Sequence, residues 1–537
     1  MSNEQIDRKM IVNDDGWIMN FNKKGIDKNT LKTEMIDRYS GSPVDTISWC
    51  VGDHEVYDYE TQIGEIFGEG QEVANAEKMF QVTTVGELTT DYKHIIKNFN
   101  GLKKLYGGPL SGITSEFKNS NIDVFASMRM NSHYAIPFMS PGYGKFRRSR
   151  PDLLIGQPDE FIPSPSVRYA IRTGVDYKYP EVREHYFRII EELATKFQLS
   201  GIELDYMRHP AFFRPEEARS NAYLMTDFIE RIRCLLNNIS TVNGNEIQLL
   251  VRMPPTLYDS LRIGLDVETW IKEELVDLVA AGGGFMPFEM PIKEFVEAAK
   301  NSKCKIYGSF EALRWALDEE VLYALAMRYW DAGVDGLYFF NYFNTPAQWK
   351  QKVMGKMADP VKLEKAPKRY ELDHYDRVEN ASAHVGAFRY AIPRAQLPIQ
   401  LERTHSNRGV VLNMDIADDL KLGRKNGSLF ECILELGVTG LTGNDYQQIN
   451  ISINGKNIVY ESVIDPKDGW EHLRFDQSVN YHTDMKTVKK CGTLIKFNVI
   501  EADLVKGNNR IRVNFDQKII RNQSVILEEV RLHISYN

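Results

Sequence analysis

The chain is poor in cysteine, has no long apolar run and no dominant charge sign, and lacks the short motifs of nucleotide, zinc or serine chemistry. Each gap removes a class of answer. The five cysteines among 537 residues (Cys50, Cys234, Cys304, Cys432 and Cys491) stand far apart, with no CxxC and no Cys/His pair at metal-ligand spacing. That excludes a disulfide scaffold or a zinc ribbon and fits a reducing compartment, or an enzyme that ignores its thiols. No stretch approaches the ~18 apolar residues of a membrane span, and MSNEQIDRKM has no apolar leader core. The expectation is a soluble, cytoplasmic protein as the chain stands, or a secreted or periplasmic one if a leader was removed. Lys plus Arg number 66 against 74 Asp plus Glu, a net charge of −8, so no global basic footprint invites nucleic acid or an anionic membrane. The AGGG at 281–284 lacks GxGxxG spacing, and no GxSxG, HExxH or P-loop occurs. No metal and no cofactor is expected.

What is present is an ordinary globular composition, 43% hydrophobic and 26% charged, with enough chain to bury a large core. The length allows two to four domains, or one barrel of about 250 to 350 residues with an appended module. Up to about residue 350, short β-branched and aromatic runs alternate with segments of helical period. Strands are expected at 10–13, 46–51, 123–128, 201–206, 248–253, 277–281, 305–309 and 336–341. Helical spacing recurs at 186–197, 223–236 and 319–330. Eight such units are what a (β/α)₈ TIM barrel requires, so an α/β barrel is expected over residues 1–356. Its connections at 52–89 and 131–179 are long, and in this fold long connections of that kind wall the active face.

A Pro- and Lys-bearing stretch at 357–377 reads as a linker. Beyond it the helical period gives way to alternating runs such as GVVLNMDI, LFECILELGV, QQINISINGKNIVY, NRIRVNF and SVILEEVRLHISY, with Asn-Gly or Asn-Asn turns between. An all-β sandwich, jelly-roll-like, is expected over 378–537, packing on the barrel through one apolar face and carrying no catalytic residue.

The most informative segment is GIELDYMRHP at 201–210. Residues two apart in a strand face the same way, so Glu203 and Asp205 share one face while Ile202 and Leu204 share the other. Facing inward, two carboxylates would stack at the carboxyl end of the fourth strand, with Arg208 just beyond. Buried carboxylates persist mainly where they are paired or do acid–base work. The plainer reading is a structural carboxylate–arginine pair tying the strand end to a loop.

GIELDYMRHP resembles the strand 4 signature of the family 10 glycosylhydrolase-like barrels, roughly Asp-Gly-Ile-x-Leu-Asp-Tyr-x-Arg-x-Pro, with Asp205, Tyr206, Arg208 and Pro210 on matching positions. FASMRMNSH at 125–133 is similar to the arginine- and asparagine-bearing strand of the same group. Ser200 departs from the pattern, standing where the group commonly carries Asp. The likeness spans roughly residues 8 to 350 and implies a sugar-cleaving barrel with two carboxylates across the scissile bond. Glu311, ending the seventh strand in KIYGSFEAL, holds the position of a retaining nucleophile, with Asp205 as general acid/base and Glu203 and Arg208 adjusting its proton affinity. Glu289 is the runner-up. The plainer reading of Glu311 is a first-turn carboxylate favoured by a helix dipole.

Further polar residues fall on the expected rim: Asp14, Asp15, Asp53, His54, Arg129, Asn131, His133, Arg252 and Asn341. Trp49, Tyr134 and Tyr342 offer faces for sugar stacking, although for each alone a core position is the simpler expectation. The run Lys145, Arg147, Arg148, Arg150 reads as a solvated loop or as a selector for an anionic glycan. The leading expectation is a glycosidase acting on a poly- or oligosaccharide, with no nucleic-acid or membrane partner. The alternative is a non-catalytic carbohydrate-binding barrel, which gains if either Asp205 or Glu311 is walled off by a salt bridge. Oligomeric state cannot be read from the sequence.

Overall fold

The computed structural model describes residues 8–16, 22, 24–53, 55–66, 92–133, 144–163, 166–282, 290–311, 318–340, 342, 345–374, 395–401, 409–464, 470–474, 486–500, 504–516 and 524–537. Eight parallel strands close a barrel: β1 Met10–Asp14, β2 Thr46–Cys50, β3 Asp123–Arg129, β4 Gly201–Asp205, β5 Gln248–Met253, β6 Leu278–Ala281, β7 Lys305–Glu311 and β8 Gly336–Phe340. Each pairs with its neighbours in sequence, and β8 closes on β1 through Met10↔Leu337 to Asn13↔Phe340.

Period-two alternation sorts the side chains into two layers. Ile11, Phe125, Leu250, Leu278, Ala280, Tyr307, Tyr338 and Phe340 fill the interior. Met10, Val12, Ile47, Trp49, Ala126, Met128, Ile202 and Leu204 face outward into the helix layer. Two glycines make room for interior aromatics: a Cβ on Gly201 would lie 2.4 Å from the Phe125 ring, and one on Gly336 2.5 Å from that of Tyr307. The amino-terminal end is sealed by Arg8, which donates to Gln248 Oε1 (2.7 Å), Thr46 Oγ1 (3.0 Å) and Asp123 Oδ2 (2.5 Å). In this fold the functional face is the opposite one, at the carboxyl ends of the strands.

The helix spacing read from the sequence is realised. In α1, Pro180–Lys196, Pro180 occupies the first turn, and Val182, Tyr186, Ile189, Ile190 and Leu193 form the buried stripe. Helix α2, Ala222–Asn243, ends on Gly244 at φ 71°, the left-handed stop that glycine takes without strain. Helix α3, Glu319–Ala332, is capped by Asp318, whose side chain accepts the Val321 amide.

The segment expected as a linker is partly structured, with a short helix at Pro360–Glu364 and a strand, β9, at Lys368–Glu371. Tyr370 and Leu372 bury there instead of facing solvent, because β9 pairs with the last strand and packs along α3. The following strands are β10 Val410–Ile416, β11 Leu429–Thr439, β12 Ile449–Ile453, β13 Lys456–Ile458, β14 Ser462–Ile464, β15 Thr493–Asn498, β16 Gly507–Phe515 and β17 Ile526–Tyr536. They form two antiparallel sheets, β9-β17-β11-β15-β14, which a short strand at Ile399–Gln400 also joins against β17, and β10-β16-β12-β13; Trp470–Arg474 and Lys486–Lys490 make a separate antiparallel pair. Alternate residues of each, such as Leu434, Leu436, Ile511 and Val513, bury into a shared core. The terminal domain meets the barrel through apolar packing, the buried side chains of both belonging to one continuous core, with ion pairs at its edge: Arg369 pairs with Asp318, Lys506 with Asp331 (2.5 Å) and Arg328 with Asp415 (3.8 Å). Among the described residues no helix is long and apolar enough to cross a membrane.

Candidate active site

At the carboxyl end the inward positions turn polar. Glu203, wholly buried in β4, accepts hydrogen bonds from three strands. Asn13 Nδ2 donates to both its oxygens (3.1 and 3.2 Å), the Tyr338 hydroxyl to Oε1 (2.7 Å) and the Ser48 hydroxyl to Oε2. Asn13 also donates to Ser127 Oγ at 3.0 Å. Burial, and then the charge of Asp205, push the Glu203 carboxyl up to about 7, against the opposing pull of the Ser48 and Tyr338 hydroxyls.

Asp205, two residues on and on the same face, meets a different environment. Its Oδ2 accepts Arg252 Nη1 at 2.9 Å, both side chains almost wholly buried, and its Oδ1 accepts the amides of Met207 (2.9 Å) and Arg208 (3.0 Å). Those amide contacts fold the chain over the strand end. The Arg252 guanidinium lies 3.6 Å from the Phe340 ring centroid, which fixes its plane. Ser309, on the inward parity of β7 with Tyr307, is buried, and its hydroxyl has no hydrogen-bond partner among the described residues.

The remaining expected residues divide sharply. Arg129 stands at the mouth in an ion pair with Asp15, beside the buried Asp14. Arg208 is buried just past β4, its amide used by Asp205. Asn131 and His133 brace loops: Asn131 Nδ2 donates to the carbonyls of Val175 (2.9 Å) and Ala211 (2.8 Å), and His133 packs edge-on to His209. Both are buried among the loops that follow β3 and β4. For Trp49 and Tyr342 the substrate-binding expectation is corrected. Both are fully buried in the outer layer, Trp49 because its parity is opposite to that of Ser48, and Tyr342 because it packs on Phe339 and Trp349. Asp53 lies on a short strand at Gly52–Asp53, and Glu311 is the last residue of β7. The side chains of those two, and His54, Tyr134, Glu289 and Asn341 altogether, fall outside the described residues.

The basic run has acidic partners. Arg147 is wholly buried and bridges Glu55 (2.6 Å), while Arg148 pairs with Glu65 (3.1 Å) and Arg150 with Asp152 (2.7 Å). The Glu55 carboxylate also accepts the Tyr186 hydroxyl at 2.6 Å, so Arg147 ties the second and third connections to α1.

Sequence reasoning missed Asn13, Ser48, Ser127 and Tyr338. The available signal was parity, since each is polar at an inward position of an otherwise apolar strand. It also missed Asp58, which burial pushes up to about 7 against the Arg129 charge, and whose Oδ1 has no partner among the described residues. Among the described residues no cluster of His, Cys, Asp and Glu is placed to hold a metal ion.

No protein-family model matches the chain, and no curated protein matches it. Solved structures are similar at the level of fold. The endo-β-1,4-mannanase from Thermotoga petrophila is 9% identical, with 99% of this chain and 98% of that one covered and a TM-score of 0.42. The α-amylase from Geobacillus thermoleovorans is 10% identical, covering 96% and 99%, with a TM-score of 0.35. A GH18 chitinase from Pseudoalteromonas aurantia is 9% identical, covering 65% and 99%, with a TM-score of 0.34. At these identities and TM-scores the likeness says nothing about the side chains of the mouth, and the barrel stands on its own strand pairing.

Proposed function

We propose that the chain is a glycoside hydrolase that cleaves a poly- or oligosaccharide at the barrel mouth, with Asp205 and Glu311 as its two carboxylates. The observation that carries this reading is the contrast within β4: Asp205 is held by a guanidinium and two amides, whereas Glu203 one step below is driven toward its protonated form. Neighbouring carboxyl groups in opposed environments are the usual arrangement for dividing acid from anion.

A guanidinium 2.9 Å from Asp205 holds that carboxyl group in place at the end of β4, and Glu311, at the end of β7, is the second carboxylate of the proposal. Because Arg147, Arg148 and Arg150 have carboxylate partners, the basic run no longer argues for an anionic glycan.

A second reading, a barrel that binds carbohydrate without turnover, is favoured by the burial of the Asp205–Arg252 pair itself. The test is reducing-end release and calorimetric binding on a panel of neutral and uronic oligosaccharides, using wild type, Asp205→Asn and Glu311→Gln. Release by wild type that both variants lose supports the hydrolase. Binding without release across the panel supports the second reading.

A further inference from the structure

The second and third connections meet α1 outside the helix layer. Ile63 of the second connection, Phe146 of the third and Arg231 of α2 wall a groove of about 950 Å³ along the first turns of α1. The α1 residues that line it, among them Glu181, Glu184 and Arg188, are exposed, on the side of the helix away from the buried stripe. Ligand pockets run to roughly 300 to 1,000 Å³, so the groove has room for an extended ligand.

Its charged groups are mostly engaged. Arg183 donates to the Tyr177 carbonyl, and Arg231 lies over the Phe187 ring, 4.3 Å from the centroid, while pairing with Glu184 at 2.9 Å. Glu181 stands 3.8 Å from Arg150. Arg188 differs, for it makes no hydrogen bond or ion pair among the described residues. His185, three residues earlier and so on the same helix face, packs flat on Phe146, with ring centroids 4.0 Å apart and an interplanar angle of 3°. Its Nε2 is buried and has no partner among the described residues. Burial pulls the His185 imidazole below the usual histidine range, with Glu55 opposing and the Arg147 and Arg188 charges assisting, so the ring is neutral at physiological pH.

A buried polar atom without a partner is uncommon, and this one lies one turn from an unpaired guanidinium. Together they suit an oxyanion, since Arg presents parallel N–H groups to a carboxylate or a tetrahedral oxyanion and the imidazole adds a further hydrogen bond. Ile63, Phe146 and Pro180 give the rest of the groove apolar walls, which match a ligand with one apolar face and hydroxyl edges. We propose that this groove is a second carbohydrate site, separate from the barrel mouth, that takes a sugar chain bearing carboxylate or sulfate groups, with the oxyanion between Arg188 and His185. The choice of a sugar rests on the glycoside hydrolase reading, whereas the choice of an anion rests on Arg188 and His185.

The test uses the full chain with its histidine rings labelled for NMR, the His185 signal being identified by its loss in His185→Gln. The probes are a galacturonate hexasaccharide, a κ-carrageenan hexasaccharide as the sulfated case, maltohexaose as the neutral case, and sodium sulfate. At least one acidic hexasaccharide should shift the His185 signal along a saturating curve, and which one does so names the oxyanion, while maltohexaose leaves the signal in place. Arg188 is exposed, so Arg188→Gln keeps the fold. It should weaken the acidic ligand about tenfold or more, with Arg188→Lys recovering part of the loss. An unmoved signal with every probe, equal affinity for maltohexaose, or unchanged affinity in Arg188→Gln overturns the site. Sodium sulfate bound as tightly as the hexasaccharide shows an adventitious ion only and overturns it as well. Reducing-end release is followed on the same samples. Release with an unmoved His185 signal removes the groove and leaves the hydrolase, whereas a shifted signal without release from any oligosaccharide removes the hydrolase and leaves the groove.

Discussion

The Tyr338 hydroxyl donates to Glu203 Oε1 at 2.7 Å, joining the eighth strand to the fourth through the middle of the barrel. Neither side chain reaches solvent, so the bond is made in a medium where an unmet acceptor is costly. The barrel mouth is thus organised around a carboxyl group that three strands hold in place.

Replacing Tyr338 by Phe removes that donor and leaves the ring. The expected cost is about 1 to 3 kcal/mol, the range for a buried acceptor losing a partner. Because the hydroxyl favours the ionised form, the Glu203 carboxyl should also move further up. Urea unfolding of the two proteins measures the first effect, and a loss of only a few tenths of a kcal/mol would show the bond to be unimportant.

Glu203 makes stability depend on pH in an unusual direction. Its folded value near 7 lies above the ordinary 4.5, so between these the native state holds a proton that the unfolded chain releases. The stability it contributes is fully present below about 4.5 and is lost as pH rises through about 7. Relative to Glu203→Gln, wild type should lose thermal stability across that window. Parallel melting curves for the two proteins would contradict this.

Arg252 and Asp205 are worth most as a pair. Arg252→Met strands a buried carboxylate and should cost about 3 to 5 kcal/mol, while the double change Arg252→Met with Asp205→Asn should cost less than the Arg252 change alone. A double-mutant cycle in denaturant reads the coupling. Strict additivity would mean that the two side chains do not depend on one another.

For turnover, Asp205→Asn and Glu311→Gln should each lower kcat by about 10² or more on an oligosaccharide that wild type cleaves, the usual scale for assistance by a catalytic carboxyl group. Near-wild-type kcat in both variants would remove the assignment.

Arg147 offers a control away from the mouth. It is wholly buried against Glu55, so Arg147→Met should destabilise by about 3 to 5 kcal/mol by leaving Glu55 uncompensated. Arg150→Met, at an exposed pair, should change stability by less than about 1 kcal/mol. Equal effects in the two variants would mean that Arg147 is not held as described.

Much of this was legible because it is local. Strand positions followed from β-branched runs, the α1 and α2 stripes from three-and-four spacing, and the shared face of Glu203 and Asp205 from period-two geometry that no tertiary contact can alter. What the sequence could not determine was absolute facing and partner choice. The spacing of TISWC says that Ser48 and Trp49 point opposite ways, but only barrel closure sends Ser48 to Glu203 and Trp49 into the helix layer. The charges of GKFRRSRPD were visible, but the neutralisation of Arg147 and Arg148 depends on Glu55 and Glu65, which lie more than eighty residues earlier in the chain. Likewise β9 reads as a linker until β17, some 160 residues later, supplies its hydrogen-bonding partner. Periodicity is carried by neighbours in sequence, whereas facing, pairing and proton affinity are set by neighbours in space.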